Sequence, residues 1–414
     1  MFNWGHRTMP GDSPRRFRGQ LRRSADLTTI AAVLLCAALS IAPHGQARPR
    51  ARDLGVPFDG TPGPLNAITD VAGVTVGQTT LITGDGPLVA GKGPVRTGVT
   101  AVLPRGTDTQ QKACFAGWFS LNGNGEMTGT TWIEESGFLE GPVLITNTHS
   151  VGVVRDAAIA WRIRSGPPDA SGYPWSLPVV AETWDGYLND INGFHVRPEH
   201  VYSALDGARG GAVEEGGVGG GTGMICHEFK CGTGTASRRV AVERERYSVG
   251  VLVQANYGRR DTLRIAGVPV GQHLREHMVY TDPALASETG SIIVVVATDA
   301  PLLPHQLKRL ARRAALGLAR NGSYAGNGSG DLFVAFSTAN ADAVRERTLN
   351  SAQFVGNEAI DPLFLATVEA TEEAIVNALV AGRDMTGQGG RYAIGIPHEA
   401  LRALLRKYNR LVSP

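Results

Sequence analysis

Runs of apolar residues along the chain predict strands that are covered on both faces. The runs are rich in Val and Ile and almost unbroken, whereas a strand with one wet face alternates between apolar and polar positions. They lie at residues 71–76, 98–103, 142–146, 247–254, 291–297 and 332–337.

Helical patterns lie between these runs. Residues 304–320 start with a proline and carry an apolar stripe opposite a basic face, and residues 361–382 and 398–408 also predict helices. Because strands and helices interleave, the class is α/β or α+β with layered sheets. A solvated surface or a subunit contact explains the basic face, which consists of Lys308, Arg309, Arg312 and Arg313.

The first 47 residues have the pattern of a secretory leader. Arginines ending in Arg22-Arg23 precede an apolar run at residues 30–42, and a short segment then ends at Ala47. That run is too short to span a bilayer. We therefore expect residues 1–47 to be a signal peptide, with an uncleaved anchor as the alternative. The mature protein is expected to be periplasmic or secreted, without membrane contact.

Composition and charge narrow the classes of function. The 414 residues are 42% hydrophobic and 19% charged, which is typical of a globular protein. The whole chain has a net charge of +2. Residues 1–47 carry +4, so the remaining residues carry −2. The sequence therefore predicts no nucleic-acid partner.

The cysteines and the glycine clusters do not match a metal-binding or nucleotide-binding motif. Cys226 and Cys231 are close enough for a disulfide, with buried thiols as the alternative, and no second ligand pair completes a metal site with them. Glycine clusters at residues 122–125, 216–223 and 321–330 indicate special backbone but match no phosphate loop or dinucleotide fingerprint. We expect neither metal nor cofactor.

One junction carries chemistry of its own. Gly290 stands directly before the apolar run at 291–297, which begins with Ser291. Glycine adopts backbone angles that are closed to other residues. An ordinary turn is the usual interpretation of such a dipeptide, and self-cleavage is the alternative. In that alternative, attack of the Ser291 hydroxyl on the preceding carbonyl and hydrolysis of the ester would make Ser291 a new N-terminus. Its α-amine, with a pKa of about 7.7–8.0, then serves as a base beside the hydroxyl.

Long segments of the chain resemble the DmpA family of L-aminopeptidase/D-esterases and β-peptidyl aminopeptidases. They include RARDLGVPFDGTPGPLNAITDVAGVTVGQTTL, LITNTHSVGVVRDA, GGTGMICHEFKCGTGTASR, YSVGVLVQANYGRR and SIIVVVATDAPLLPHQLKRLARRAALGLARNGSYAGNGSGDLFVAFSTAN. The resemblance covers the chain from about Arg50 to its end.

The resemblance implies a four-layer αββα sandwich, similar to the N-terminal-nucleophile hydrolases but with a different chain order. It implies self-cleavage between Gly290 and Ser291. Residues 48–290 then form a large subunit and residues 291–414 a small one, together one catalytic domain (48–414). It also implies a homo-oligomer, a tetramer of processed heterodimers, acting on small peptides, amides or esters.

Site residues follow from the same resemblance. Ser291 matches the family nucleophile, and Ser329 with Asp331 in GNGSGDLF match the pair beside it. Asn256 in QANYG matches an oxyanion-stabilising Asn. Tyr187 in ETWDGYLND matches a Tyr of the aminopeptidase/esterase branch, which favours α-peptides and D-esters over β-peptides.

A carboxylate is the natural partner for the ammonium group of an aminopeptidase substrate. Asp185 stands where the family places such an acid, and Glu182 is a close competitor. Glu134 and Glu135 are further alternatives. We assign no catalytic role to His149 or His305.

The primary hypothesis is therefore an exported L-aminopeptidase with D-esterase activity. A β-peptidyl aminopeptidase is the first alternative. Acyl transfer, as in the related ornithine acetyltransferases, is disfavoured because those enzymes cleave before Thr. A non-catalytic exported protein of the same fold is the last alternative.

Overall fold

The computed structural model describes residues 49–106, 112–165, 175–280, 290–343 and 349–413. The expected signal peptide lies outside these residues. Among them, no helix combines the length and the apolar character needed to cross a membrane.

The described residues form two stacked sheets with helices on both outer sides. The strands are β1 (Thr75–Thr83), β2 (Val95–Leu103), β3 (Cys114–Ser120), β4 (Phe138–Leu139), β5 (Val143–Asn147), β6 (Val179–Thr183), β7 (Ile225–Cys226), β8 (Phe229–Lys230), β9 (Thr233–Val242), β10 (Glu245–Asn256), β11 (Ser291–Thr298), β12 (Gly330–Ser337), β13 (Met385–Thr386) and β14 (Tyr392–Ala393). The helices are α1 (Thr130–Ser136), α2 (Val151–Ser165), α3 (Pro198–Asp206), α4 (Val270–His273), α5 (Pro304–Arg320), α6 (Asp361–Val380) and α7 (His398–Lys407).

Two mixed sheets make the inner layers. The four-stranded sheet has the order β1-β2-β5-β6, in which only β5 and β6 run parallel. The six-stranded sheet has the order β4-β3-β12-β11-β10-β9, in which only β11 and β12 run parallel. Helices α5 and α6 pack on the six-stranded sheet, and α2 and α3 pack on the four-stranded one. This is the predicted αββα sandwich.

Strand β11 shows why an unbroken apolar run forms a central strand. All eight of its residues are buried. Because side chains alternate across a strand, Ile292, Val294 and Val296 join the core beneath α5 and α6. Ile293 and Val295 join the core between the two sheets. Both faces are covered, so no polar position interrupts the strand until its ends.

Most of the predicted elements are present, with one clear shift. The run at 71–76 is not a strand, since β1 begins only at Thr75. Val71 and Val74 instead lie in turns that pack into the core between the sheets. Helix α5 has the predicted bounds. Cys226 and Cys231 are fully buried, as the core-thiol alternative expected.

The basic face of α5 is engaged in contacts within the chain. Lys308 Nζ lies 2.6 Å from a Glu134 carboxylate oxygen. The Arg309 and Arg313 guanidinium groups lie over the Phe364 ring of α6. Part of this face therefore holds the helix against its neighbours.

Candidate active site

Ser291 lies at the first position of β11, in the middle of the six-stranded sheet. Across the antiparallel pair with β10 it faces Asn256, and across the parallel pair with β12 it faces Gly330. Only 6% of Ser291 is exposed. Strands β10, β11 and β12 thus bring the candidates Ser291 and Asn256 next to each other and to Gly330, although the three residues are far apart in sequence.

A single backbone N–H connects the candidate nucleophile and the candidate scissile carbonyl. The Gly330 N–H donates to the Gly290 carbonyl oxygen at 3.3 Å and to Ser291 Oγ at 3.2 Å. The next N–H along β12, that of Asp331, points to the opposite side and donates to Asn122 O at 3.2 Å. Successive N–H groups of a strand point to opposite sides, so the Gly330 N–H points to Ser291 Oγ and the Gly290 carbonyl oxygen.

Gly290 is required for a reason that the sequence did not reveal. It does not occupy the left-handed backbone region that glycine alone tolerates well. Instead, a Cβ atom at this position would lie 2.1 Å from the Asn256 carbonyl oxygen and 2.5 Å from Tyr257 Cα. The chain passes too close to β10 for any side chain, so the constraint is steric contact rather than strained backbone angles.

Ser329 and Asp331 form a buried hydrogen-bonded pair beside the nucleophile. Ser329 Oγ donates to Asp331 Oδ1 at 2.7 Å, and both residues are at most 1% exposed. The two residues flank Gly330, so the pair and the N–H that contacts Ser291 move together as one segment.

The Asn256 side chain ties the site to its surroundings. Its Oδ1 accepts the Ile225 N–H at 2.9 Å, and its Nδ2 donates to the Trp184 carbonyl oxygen at 2.9 Å. An amide nitrogen carries two hydrogens, so one hydrogen is engaged and the amide is held in a fixed orientation next to Ser291.

A cavity of about 230 Å³ opens over Ser291. Glu182, at the end of β6, lines it. Its Oε1 accepts the Glu126 N–H at 3.0 Å and its Oε2 accepts the Thr148 hydroxyl. Burial raises the pKa of Glu182, and these two donors oppose the rise. The cavity therefore holds a serine hydroxyl and an oriented, poorly hydrated carboxylate together.

Asp185 is not among the residues that line this cavity and is buried. Its Oδ1 accepts from Asn189 Nδ2 at 3.0 Å, and its Oδ2 makes no hydrogen bond of ordinary geometry within the described part of the chain. Burial raises the pKa of this carboxyl to about 7, against the opposing effect of Thr97, Asn189 and Asn147. We call Asp185, Asn189, Asn147 and Thr97 the Asp185 cluster.

Tyr187, Glu134 and Glu135 are not among the residues that line the cavity. Tyr187 packs edge-on against Tyr280, with the Arg391 guanidinium over its ring. Burial raises the pKa of the Tyr187 phenol. Glu134 and Glu135 line a separate groove on the outer side of β3, together with His305.

Other cavity residues had no assigned role in the sequence. Asn124, Thr148, Trp184 and Gly328 line the cavity with Ser291 and Glu182. Two of them lie in the asparagine- and glycine-rich clusters at 122–125 and 321–330, which the sequence marked as special backbone without indicating a function.

Comparisons with known proteins show which family the chain resembles. The sequence profile of peptidase family S58 matches residues 66–393. The chain is 55% identical over 376 residues to the beta-peptidyl aminopeptidase BapA of Sphingosinicella microcystinivorans, covering 88% of this chain and 94% of that protein.

Two solved structures are similar over 88% of this chain and 100% of their own. One is the L-aminopeptidase D-Ala-esterase/amidase of Ochrobactrum anthropi, a prototype of the serine aminopeptidases with a variant of the Ntn hydrolase fold (TM-score 0.82, 50% identity). The other is a β-aminopeptidase of Burkholderia sp. (TM-score 0.80, 48% identity). The family resemblance found in the sequence is confirmed.

Proposed function

This chain belongs to peptidase family S58, and we propose that it is an exported aminopeptidase that cleaves itself before Ser291. One observation carries the proposal. The Gly330 N–H lies 3.2 Å from the Ser291 hydroxyl oxygen and 3.3 Å from the Gly290 carbonyl oxygen. A donor so placed stabilises the negative charge that develops on the Gly290 carbonyl oxygen when the Ser291 hydroxyl attacks the carbonyl carbon.

Self-cleavage follows as an acyl shift. Ser291 Oγ attacks the Gly290 carbonyl carbon, the C–N bond breaks, and the hydroxyl proton passes to the departing amine. Water then hydrolyses the resulting ester, which leaves a Gly290 carboxylate and a free Ser291 hydroxyl and α-amine. The steric contact of Gly290 with Asn256 and Tyr257 keeps this peptide bond next to the donor.

The processed enzyme uses the same atoms on a substrate. The Ser291 amine, with a pKa of about 7.7–8.0 when unperturbed, accepts the hydroxyl proton as Oγ attacks the substrate carbonyl. The Gly330 N–H and the second Asn256 Nδ2 hydrogen stabilise the oxyanion. The Ser329–Asp331 pair holds the amine in position. The Ser291 amine then passes the hydroxyl proton to the leaving amine or alcohol as the C–N or C–O bond of the substrate breaks, which leaves an acyl-enzyme. Water attacks the ester carbonyl of the acyl-enzyme, which releases the N-terminal amino acid and restores the Ser291 hydroxyl.

We assign the substrate ammonium group to Glu182. Of the four carboxylates weighed on the sequence, Glu182 lines the cavity with Ser291, whereas Asp185 is buried and does not line it, and Glu134 and Glu135 line another groove. An ammonium group in the cavity pairs with the Glu182 carboxylate and opposes the effect of burial on its pKa. A cavity lined by one carboxylate and the nucleophile selects substrates with a free N-terminus.

Two substrate classes fit this arrangement. We propose small L-aminoacyl amides and peptides, with D-aminoacyl esters, as the first class. β-Peptidyl substrates are the second, favoured by the 55% identity to a beta-peptidyl aminopeptidase. A β-residue adds one carbon–carbon bond of about 1.5 Å between amine and carbonyl, so the separation of Glu182 from Ser291 decides between the classes.

Export and assembly remain part of the proposal. The pattern of residues 1–47 supports a cleaved signal peptide and a periplasmic or secreted protein. The family resemblance supports a tetramer of processed heterodimers without metal or cofactor. N-terminal sequencing of the large fragment, expected to start near Arg48, and light scattering test these two points.

The decisive experiment is the intact mass and N-terminal sequence of the purified full chain. We expect two fragments, the smaller beginning at Ser291, and hydrolysis of L-alanine amide or its β-homoalanine analogue. In Ser291→Ala the chain stays whole, and hydrolysis falls by roughly 10⁴-fold or more.

Ser337→Ala is the matched control. Ser337 lies buried at the far end of β12, where its hydroxyl donates to Ala300 O. This variant should be cleaved and active. A folded wild-type chain that stays uncut and hydrolyses neither amide would contradict the proposal and favour a non-catalytic role.

A further inference from the structure

The loop at residues 122–126, Asn-Gly-Asn-Gly-Glu, runs along the segment that carries the Ser329–Asp331 pair. It follows β3, which pairs with β12 as far as Ser120 and Leu332. Beyond that point the regular ladder ends. Backbone bonds persist irregularly, from Leu121 N to Asp331 O at 2.9 Å and from Asn124 N to Ser329 O at 3.3 Å.

Two asparagine side chains continue the contact where the backbone ladder stops. Asn122 Nδ2 donates to Gly326 O at 2.9 Å, and Asn124 Nδ2 donates to Gly328 O at 2.8 Å. The donors are two residues apart and so are the acceptors, which is the repeat of one face of a strand. The amides therefore act as ladder partners for a segment rich in glycine, whose backbone has little stiffness of its own.

The same loop presses on Gly330 from the side opposite Ser291. A Cβ atom on Gly330 would lie 2.4 Å from Asn124 O and 2.8 Å from Gly125 Cα. Gly330 is thus held between the loop and the nucleophile. One residue further on, the Glu126 N–H donates to Glu182 Oε1. A single short loop contacts both the oxyanion side and the carboxylate side of the site.

We propose that Asn122 and Asn124 are positioning residues that hold the Gly330 N–H and the Ser329 hydroxyl in their reactive arrangement. This inference rests on the proposed function of Ser291. The two asparagines belong to the large subunit and their acceptors to the small one, so the contacts also keep the cleaved parts in register. Electrostatic stabilisation depends on donors fixed before the charge develops, and these two amides supply that fixation.

The test uses Asn124→Ala and Asn124→Asp in the full chain. Both remove the Nδ2 donor, and the aspartate keeps the size of the side chain. We expect kcat on L-alanine amide, or on its β-homoalanine analogue if that is the better substrate, and the rate of self-cleavage to fall about tenfold. This is less than the roughly 100- to 1,000-fold cost of deleting an oxyanion donor. KM should stay within about twofold, because the donor acts on the transition state.

Gln78→Ala is the matched control. The Gln78 side-chain amide also donates to a backbone carbonyl, that of Glu214 at 3.3 Å, but in the four-stranded sheet away from the site. It should leave kcat and self-cleavage unchanged. A melting temperature lowered equally in Gln78→Ala and Asn124→Ala, with kcat lost only in the latter, separates positioning from general stability.

Three results would overturn the inference. The first is kcat and self-cleavage within about twofold of the wild type in Asn124→Ala. The second is a raised KM at unchanged kcat, which would make Asn124 a substrate contact. The third is that neither Asn124→Ala nor Asn122→Ala folds, which would leave both residues with only a folding role. If Asn124→Ala alone fails to fold, the same kinetic test is made on Asn122→Ala. A wild-type chain that neither cleaves itself nor hydrolyses amides would instead remove the proposed function, and this inference with it.

Discussion

Glu182 and Asp185 stand three residues apart on one short segment, yet they occupy opposite kinds of environment. Glu182 is the last residue but one of β6 and lines the cavity over Ser291. Asp185 lies two residues beyond the strand, at the start of a turn, and is enclosed by Asn189, Asn147 and Thr97. Burial raises the pKa of both carboxyls, to about 7 for Asp185.

The difference shows that burial and a displaced pKa do not by themselves mark a binding group. Glu182 faces space that a substrate can enter, and two donors fix its oxygens. Asp185 faces other protein groups, and the Asn189 side chain that binds it also accepts the Arg96 N–H of β2 at 2.8 Å. We infer that Glu182 binds substrate, whereas Asp185 secures the turn against the sheet.

The largest effect is expected when each carboxylate is replaced by its amide, which tests the two roles separately. Glu182→Gln keeps the shape and removes the charge, so the substrate ammonium loses its counterion. We expect kcat/KM on the better of the two alanine amides to fall about 100-fold, which corresponds to about 2.7 kcal/mol. In Asp185→Asn, kcat/KM should stay within about threefold. Steady-state kinetics on the purified, self-cleaved proteins measure both.

The opposite result for these two variants would contradict the assignment of the substrate ammonium to Glu182. If Asp185→Asn lost activity and Glu182→Gln retained it, the ammonium would bind at Asp185, as the family resemblance first suggested. Both variants must show the Ser291 N-terminus, so that a failure of self-cleavage is not mistaken for weak substrate binding.

A smaller effect concerns the pH dependence of stability. The pKa of Asp185 is about 7 in the folded chain and 3.8 when unperturbed. Between those values the folded state keeps a proton that the unfolded state releases, so this carboxyl makes the free energy of unfolding fall as pH rises from about 4 to 7. The slope from this group is at most about 1.4 kcal/mol per pH unit and vanishes above pH 7.

Asp185→Asn should remove that slope. Chemical denaturation between pH 4.5 and 8 is expected to show the variant gaining stability relative to the wild type as pH rises to 7. Parallel curves for the two proteins would mean that Asp185 is ionised throughout and has a partner for its charge.

The sequence predicted the scaffold of the site better than its lining. β11 and α5 were predictable because burial on both faces, or on one stripe, leaves an unbroken or periodic apolar pattern. The meeting of Ser291 with Ser329 and Asp331 was accessible only through family resemblance, since residues 38 and 40 positions away reach it by a parallel pairing that local patterns do not encode.

The choice between Glu182 and Asp185 was beyond the sequence for a different reason. The strand ends at Thr183, and the following turn decides which carboxylate faces the cavity. Asn124 was part of a cluster recognised as unusual backbone, but its role depends on a carbonyl 204 residues away. Side-chain contacts between loops leave no periodic pattern in either loop.

The smallest expected effects compare one threonine from each region. Thr148→Val removes the hydroxyl that donates to Glu182, which raises the pKa of Glu182 further and loosens the carboxylate. We expect KM to rise about fivefold, which corresponds to about 1 kcal/mol of substrate binding. Thr97→Val removes the oxygen that accepts from Asn147 Nδ2 at 2.7 Å. This buried donor then lacks its partner, so stability should fall by about 1–3 kcal/mol while KM stays constant. A raised KM in Thr97→Val would mean that the Asp185 cluster contributes to substrate binding.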